Sequence, residues 1–286
     1  MGVSTVTIQP MRSLLPHHIT DLFCWVDELL PPSISSPNGG RPASLAPSEV
    51  VTMLVWNALV IRQATLKDLH TFIAMYHRGD FPGLPKYSTF VAHCHRALPQ
   101  CIALLEELLV DTAPVRIMDA TMLPVCKLQR ADTHRVARML ADFGKNHQGW
   151  HYGFKLHTSI DLSGKLAAVA FTPANVYDAQ LMPKLLNRHA TIAVGDRLYG
   201  ARVMGERIHE RYGTIVIAPP HPKQRRKIAS PWQIELLNLR PKIESVFDYL
   251  KEHLHLVTSF ARSVTGYFVH YIRILLAYQI MVLSLA

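Results

Sequence analysis

Three acidic residues carry the chemistry this chain has to offer: Asp119 in VRIMDATML, Asp196 in IAVGDRLYG and Glu244 in NLRPKIESVFDYLKEHL. The first two close short apolar runs that read as buried strands, and the third sits on an amphipathic helix. A carboxylate in such surroundings is costly unless a cation compensates it. Three of them meeting at one end of a sheet would form an all-oxygen site for divalent cations, the setting in which phosphate esters are attacked.

The helix with the third acid is the sharpest local signal. Arg240, Glu244 and Lys251 fall within about 40° of one another at 100° per residue, while Ile243, Val246, Phe247, Leu250 and Leu254 form an apolar stripe centred roughly 80° away. The charged trio therefore borders the buried face, where side chains reach a cleft. Pro241 suits a first helical turn and places Glu244 near the N-terminus. The plainer reading of the trio alone is a solvated charged face. The two strand-end aspartates upstream tip the balance towards a site.

These residues resemble a known family. The Asp119 strand (MDATMLPVC), WHYGFKLH at 150–157, FTPANVYD at 171–178, GDRLYG at 195–200 and an R-x3-E-x6-K signature over 240–251 are together similar to a DDE-type transposase of a bacterial insertion sequence, most like the insertion-sequence 982 group. The segments span about 110 to 260. Each is weakly specific, and their order and spacing are highly specific. Related families often have a Tyr three residues before the Arg. Here that position is Leu237, so no role of that Tyr is carried over.

The resemblance implies phosphoryl transfer on DNA, with Asp119, Asp196 and Glu244 as catalytic residues and metal ligands. Two divalent cations, Mg²⁺ with Mn²⁺ as a substitute, would lie roughly 4 Å apart. One activates water, then a DNA 3′-hydroxyl, as nucleophile, and the other stabilises the leaving oxygen. Asp119 is expected to bridge the two. Arg240 and Lys251 would bind the scissile phosphate, the first in two-pronged fashion and the second as a point charge. Lys155 and His157 share one face of a strand and are candidates for lining the cleft, or equally a surface pair. Asn175 and Asp178 read as a turn and a helix N-cap, with support of the ligands as a second option. Trp150 and Tyr199 could stack on unpaired bases, although packing is the simpler reading of both.

The chain has 286 residues, 30 Lys and Arg against 21 Asp and Glu, and a net charge of +9, which favours a polyanionic partner. Two basic segments flank the acids and are expected to grip phosphates. One is 127–147, with Arg135 and Arg138 foremost, and the other is 221–231, with Lys223, Arg225, Arg226 and Lys227. The expected partner is double-stranded DNA: the terminal inverted repeats of the chain's own element, and a target. A homodimer or larger assembly in the DNA complex would join two ends.

Four cysteines without a C-x-x-C pair, and no cleavable leader pattern, point to a reduced cytoplasmic setting, with the protein on the nucleoid when bound to DNA. His93, Cys94, His95 and Cys101 fit no common zinc template. No Ser-His-Asp pattern and no Gly-rich phosphate loop is present. The apolar stretch 264–286 is interrupted by His270 and Arg273, leaving a run too short to span a bilayer, so a buried terminal helix and no membrane association are expected.

The elements that must position the acids follow from periodicity. Residues 1–112 read as helical, with candidates at 22–30, 48–63, 66–77, 87–98 and 101–110, and are expected to form a DNA-binding or dimerisation domain. From 115 the pattern changes. Strands are expected at 115–121, 151–161, 166–173, 191–196 and 214–219, and helices at 178–188, 201–212 and 241–255. The predicted fold is α/β: an RNase-H-like domain over 113–262 with a mixed five-stranded sheet, its first and fourth strands adjacent. A C-terminal helix over 263–286 is expected to pack on it. Two other functions fit the same residues: a metal-dependent nuclease that does not join strands, and a catalytically silent DNA-binding relative.

Overall fold

The computed structural model describes residues 18–30, 43–62, 65–220 and 230–284. The chain begins with helices α1 (Ile19–Leu29), α2 (Pro47–Trp56), α3 (Leu66–Tyr76), α4 (Tyr87–Arg96) and α5 (Leu98–Leu108). Their starts follow local chemistry. Pro47 opens α2 and the Thr65 hydroxyl caps α3 by accepting from the Asp68 amide at 3.2 Å. A π-helical turn, Asn57–Ile61, extends α2 and ends at Arg62 in the left-handed region.

A sheet of six strands follows, built from β1 (Val115–Pro124), β2 (Asp142–Asn146), β3 (Gly149–Ile160), β4 (Leu166–Pro173), β5 (Ile192–Val194) and β6 (Ile215–Ile217). Its order is β2-β3-β1-β5-β6, with β4 also paired to β3. The strands from β1 to β4 run antiparallel, and β1, β5 and β6 are parallel neighbours. The expectation of five strands is corrected to six. The extra strand, β2, lies in the segment read as a basic loop, and its sequence DFGKN has too few apolar residues to signal a strand.

Helices α6 (Met182–Leu185) and α7 (Arg202–Tyr212) lie in the crossovers to β5 and β6. After β6 come α8 (Pro231–Leu237), α9 (Pro241–Asp248), a π-helical turn Tyr249–His253 and α10 (Val264–Ser284). Helix α8 was not expected, yet it has an N-terminal signature: Gln233 Oε1 accepts from the Ser230 amide at 3.0 Å, and Pro231 stands in the first turn.

Two cores hold the sheet. The larger joins the N-terminal helices, one sheet face, α9 and α10. The smaller packs Met118 with Leu185, Tyr199 and Ile208 on the other face. Helix α10 is long and apolar enough to cross a membrane by length and composition, but most of it is buried inside this fold. It lies between the sheet and the N-terminal helices, with its most extensive contacts on α5 and further ones on α2 and α4. Two of its polar side chains tie it to the chain around β4. Gln279 donates to the Leu108 carbonyl at 2.6 Å and accepts from the Leu166 amide at 2.8 Å, and the Tyr278 hydroxyl donates to the Gly164 carbonyl at 2.8 Å.

Candidate active site

The β1–β5 register decides where the aspartates lie. Ile117 pairs with Val194 in parallel, and Asp119 and Asp196 each stand two residues further on; the strand-end expectation is corrected for Asp119, which lies in the middle of β1 opposite Thr158 of β3, whereas Asp196 follows the end of β5. Asp196 is the N-cap of the short 3₁₀ turn Arg197–Tyr199, and its Oδ1 accepts from the Leu198 amide at 2.8 Å. Gly195 is required beside it, because a Cβ there would meet the buried Tyr199 ring at 2.7 Å. Side chains alternate along β1, so Asp119 shares a face with Ile117, in the same core as Ile243, Val246 and Phe247 of α9.

The Asp119 carboxyl is pushed up to about 7, first by burial and then by the charges of Asp196 and Asp178, against a hydrogen bond from the Ala120 amide and the charge of Arg240. Asp196 is raised too, mainly by burial and with Asp178 adding to it. Two half-buried carboxylates whose proton affinity is raised by their surroundings are a site short of positive charge. That donor set, all oxygen, fits a divalent cation.

The third acid does not stand with them. Arg240 donates to Glu244 Oε1 at 2.6 Å, and that pair is partly exposed. Among the described residues, no three His, Cys, Asp or Glu side chains are grouped closely enough to hold a metal ion. Arg240 is nonetheless close enough for its charge to act on Asp119 and Asp196. Lys251 lies in the π-helical turn, where the extra residue per turn changes the wheel drawn for an ordinary helix. Its ammonium is lowered by burial, with Asp248, Glu252 and Asp119 opposing that shift. Arg240 and Lys251 thus both come electrostatically near Asp119.

Lys155 and His157 are corrected. They stand opposite Met122 and Ala120 of β1, on the face that carries Met118 and away from Asp119. Lys155 is buried and donates to Asp178 Oδ1 at 2.9 Å and to the Val176 carbonyl at 2.8 Å, so its charge is used internally and not on DNA. His157 Nδ1 is 3.7 Å from the same carboxylate, while burial lowers the imidazole to about 4 and keeps it neutral. Asp178 is no N-cap. It is a buried counter-ion whose charge reaches both site aspartates through the sheet. A lysine inside an apolar strand was the available signal, since it requires an acid.

The other candidates divide by exposure. Arg135 and Arg138 are exposed in the segment before β2. Lys223, Arg225, Arg226 and Lys227 lie outside the described residues. Tyr199 is fully buried and unavailable for stacking, whereas Trp150 is exposed, with Lys145 Nζ 5.7 Å from its ring centre. Asn175 donates to Asp142 Oδ2 at 2.6 Å and ties the loop after β4 to β2. The Cys94 and Cys101 thiols are buried and pushed up to about 12, which keeps them protonated and unsuited to binding metal.

A mixed α/β sheet with carboxylates at matching positions of adjacent parallel strands, two residues beyond the Ile117–Val194 pair, is consistent with an RNase-H-like domain of the DDE class. Residues 110–264, more than half of the chain, match the family described as Transposase DDE domain, and the chain belongs to that family. No curated protein and no solved structure matches the chain.

Proposed function

We propose that this member of the transposase DDE domain family cuts and joins the DNA ends of an insertion sequence, and that its relatives are to be sought near the insertion-sequence 982 group. The observation that carries the reading is the half-buried Asp119–Asp196 pair, short of positive charge, with Asp119 in mid-β1 and Asp196 just past β5. Asp119, Asp196 and Glu244 are the ligands. Two divalent cations, Mg²⁺ by preference, would supply an activated nucleophile and stabilisation of the leaving oxygen.

Glu244 reaches the aspartates once it leaves Arg240. A partly exposed ion pair such as this contributes only about 0–1 kcal/mol, so Glu244 would give it up at little cost to join the aspartates as a ligand. Arg240 would then be available to the scissile phosphate, and Lys251 would add a second positive charge near Asp119. Exposed Arg135 and Arg138, together with Lys223, Arg225, Arg226 and Lys227, hold the flanking backbone, and the partner is double-stranded DNA bound by two or more copies of the chain. Incubation with Mg²⁺ and the DNA flanking its gene, followed by sequencing of the products, tests this. Joined ends support a transposase, cuts without joins a nuclease, and binding without cuts a silent relative.

A further inference from the structure

A cavity of about 250 Å³ lies away from the carboxylates, where the start of α3, one side of α4, the segment 258–263 and the first turns of α10 meet. Its charge is one-sided. Arg262 and Arg273 line it together with His95 and His270, and no Asp or Glu does so among the described residues. Asp68, in the first turn of α3, is turned to the Thr65 hydroxyl at 2.6 Å.

The floor is positive by construction. Arg273 is 2% exposed and hydrogen-bonded, with His270 Nδ1 at 3.1 Å from its guanidinium and further contacts besides. His270 Nε2 is 2.9 Å from the His255 carbonyl. A ring that donates from Nε2 and accepts at Nδ1 is neutral, so this contact orients the guanidinium and leaves its charge in place. Arg262 adds an exposed guanidinium at the mouth.

The walls are of another kind. Leu66, Val91 and Val269 are apolar, and the rings of Tyr87 and Phe260 line the cavity while 41% and 57% exposed. Exposed rings beside a cationic floor suit a ligand with a flat aromatic part and an anionic part. The volume is just below the roughly 300 Å³ at which ligand pockets begin, which is room for one such unit.

We infer that this cavity binds one nucleotide unit, with its phosphate on Arg262 and Arg273 and its base against Tyr87 and Phe260. The unit is either a free nucleotide or an unpaired nucleotide of a DNA strand. The site is separate from the carboxylates, so it stands or falls independently of strand cleavage.

Calorimetry on the full chain tests it, with thymidine 5′-monophosphate, thymidine and a 5′-phosphorylated oligothymidylate as probes. The monophosphate should bind, and thymidine should bind at least about tenfold more weakly for want of charge-assisted hydrogen bonds. Arg262→Gln should weaken the monophosphate by about tenfold. Val91→Trp, which fills the space and leaves the charges alone, should weaken it as much. If Val91→Trp does not fold, Arg262→Gln alone decides, because that side chain is exposed. Competition by the oligothymidylate identifies a DNA strand as the source, and lack of competition identifies the free nucleotide. Absence of monophosphate binding, equal binding of thymidine, or affinity unchanged by the variants overturns the inference. Duplex binding and cleavage by the same preparation report separately on the transposase reading.

Discussion

Arg240 donates to Glu244 at 2.6 Å while its charge also reaches Asp119 and Asp196. One guanidinium therefore serves as counter-charge for all three acids. If the aspartates hold a divalent cation, as proposed, Arg240 and Glu244 would be free for separate work. Helix α9 packs on β1, the strand that carries Asp119.

The acids should be required for chemistry and dispensable for binding. Asp119→Ala, Asp196→Ala and Glu244→Ala each remove a proposed ligand, and the several kcal/mol of transition-state stabilisation that metal ions provide is about a thousandfold or more in rate. DNA affinity rests on basic residues and should stay near wild type. Cleavage assays beside gel-shift titrations in Mg²⁺ check this, and full cleavage by any one variant removes that residue from the site.

Stability without metal should depend on Asp119 and pH. The carboxyl is raised from 3.8 to about 7 in the folded chain, so between those values the folded state binds the proton that the unfolded state has lost. By linkage, this group's contribution is greatest at low pH and declines as pH rises from about 4 to about 7. Asp119→Asn should therefore raise the melting temperature at pH 8 in EDTA, by about 2–4 °C for each kcal/mol regained. At pH 4 it should have little effect. Equal shifts at both pH values would place the effect elsewhere than in the buried charge.

Lys155 should prove a stability residue. Its pair with Asp178 is nearly buried on both sides, at 11% and 12% exposed, and removing one member of such a pair costs roughly 3 kcal/mol or more. Lys155→Met should lower stability by about that amount, and adding Asp178→Leu should recover much of the loss. Denaturant unfolding of the two variants measures this. The salt dependence of DNA binding should be unchanged in any Lys155→Met that folds, whereas a flatter slope would return Lys155 to the DNA surface.

What could be read from sequence depended on periodicity. Strands β1, β3 and β4 are long, with enough apolar residues to declare themselves; Asp196 does follow a strand end, but Asp119 lies in mid-β1, because the strand continues through MLP to Pro124. Strand β2 did not declare itself, because DFGKN buries only one of its five residues. The wheel drawn through Arg240, Glu244 and Lys251 assumed a regular helix, whereas Tyr249–His253 takes a π-helical turn that no sequence pattern announced. Lys155 was misjudged for a related reason. Strand alternation identifies its face, but only the sheet register shows that this is the face opposite Asp119.

The basic segments should set the salt dependence. Neutralising Lys223, Arg225, Arg226 and Lys227 together should weaken binding and flatten the slope of log affinity on log salt by up to about 0.9 per lost phosphate contact. Arg135 and Arg138, exposed before β2, should behave likewise in a second variant. Fluorescence anisotropy over a salt series is the measurement, and an unchanged slope marks a segment as merely solvated.

Arg240 and Lys251 should act on rate more than on affinity. Both come electrostatically near Asp119, so a phosphate bound there would lie within their reach, and their charge matters most as negative charge builds up on the transferring group. Lys251→Ala should slow cleavage at saturating DNA by about 10²-fold, within the range for loss of one preorganised charged donor. Arg240→Ala should slow it too, and Arg240→Lys should restore only part, since an ammonium cannot reproduce a two-pronged guanidinium contact. Arg240 has a second effect that separates it from Lys251. In the absence of metal it is the counter-charge of Glu244, so Arg240→Ala should leave Glu244 free and let Mg²⁺ bind at least as tightly as in wild type, even as the rate falls. Lys251→Ala has no such pair to break and should show a lower rate without that effect on Mg²⁺ binding. Single-turnover cleavage rates and Mg²⁺ titrations on the same preparations decide it: wild-type rates in both alanine variants would leave only the carboxylates as reacting residues, and weaker Mg²⁺ binding by Arg240→Ala would show that Arg240 supports the acids instead of competing for them.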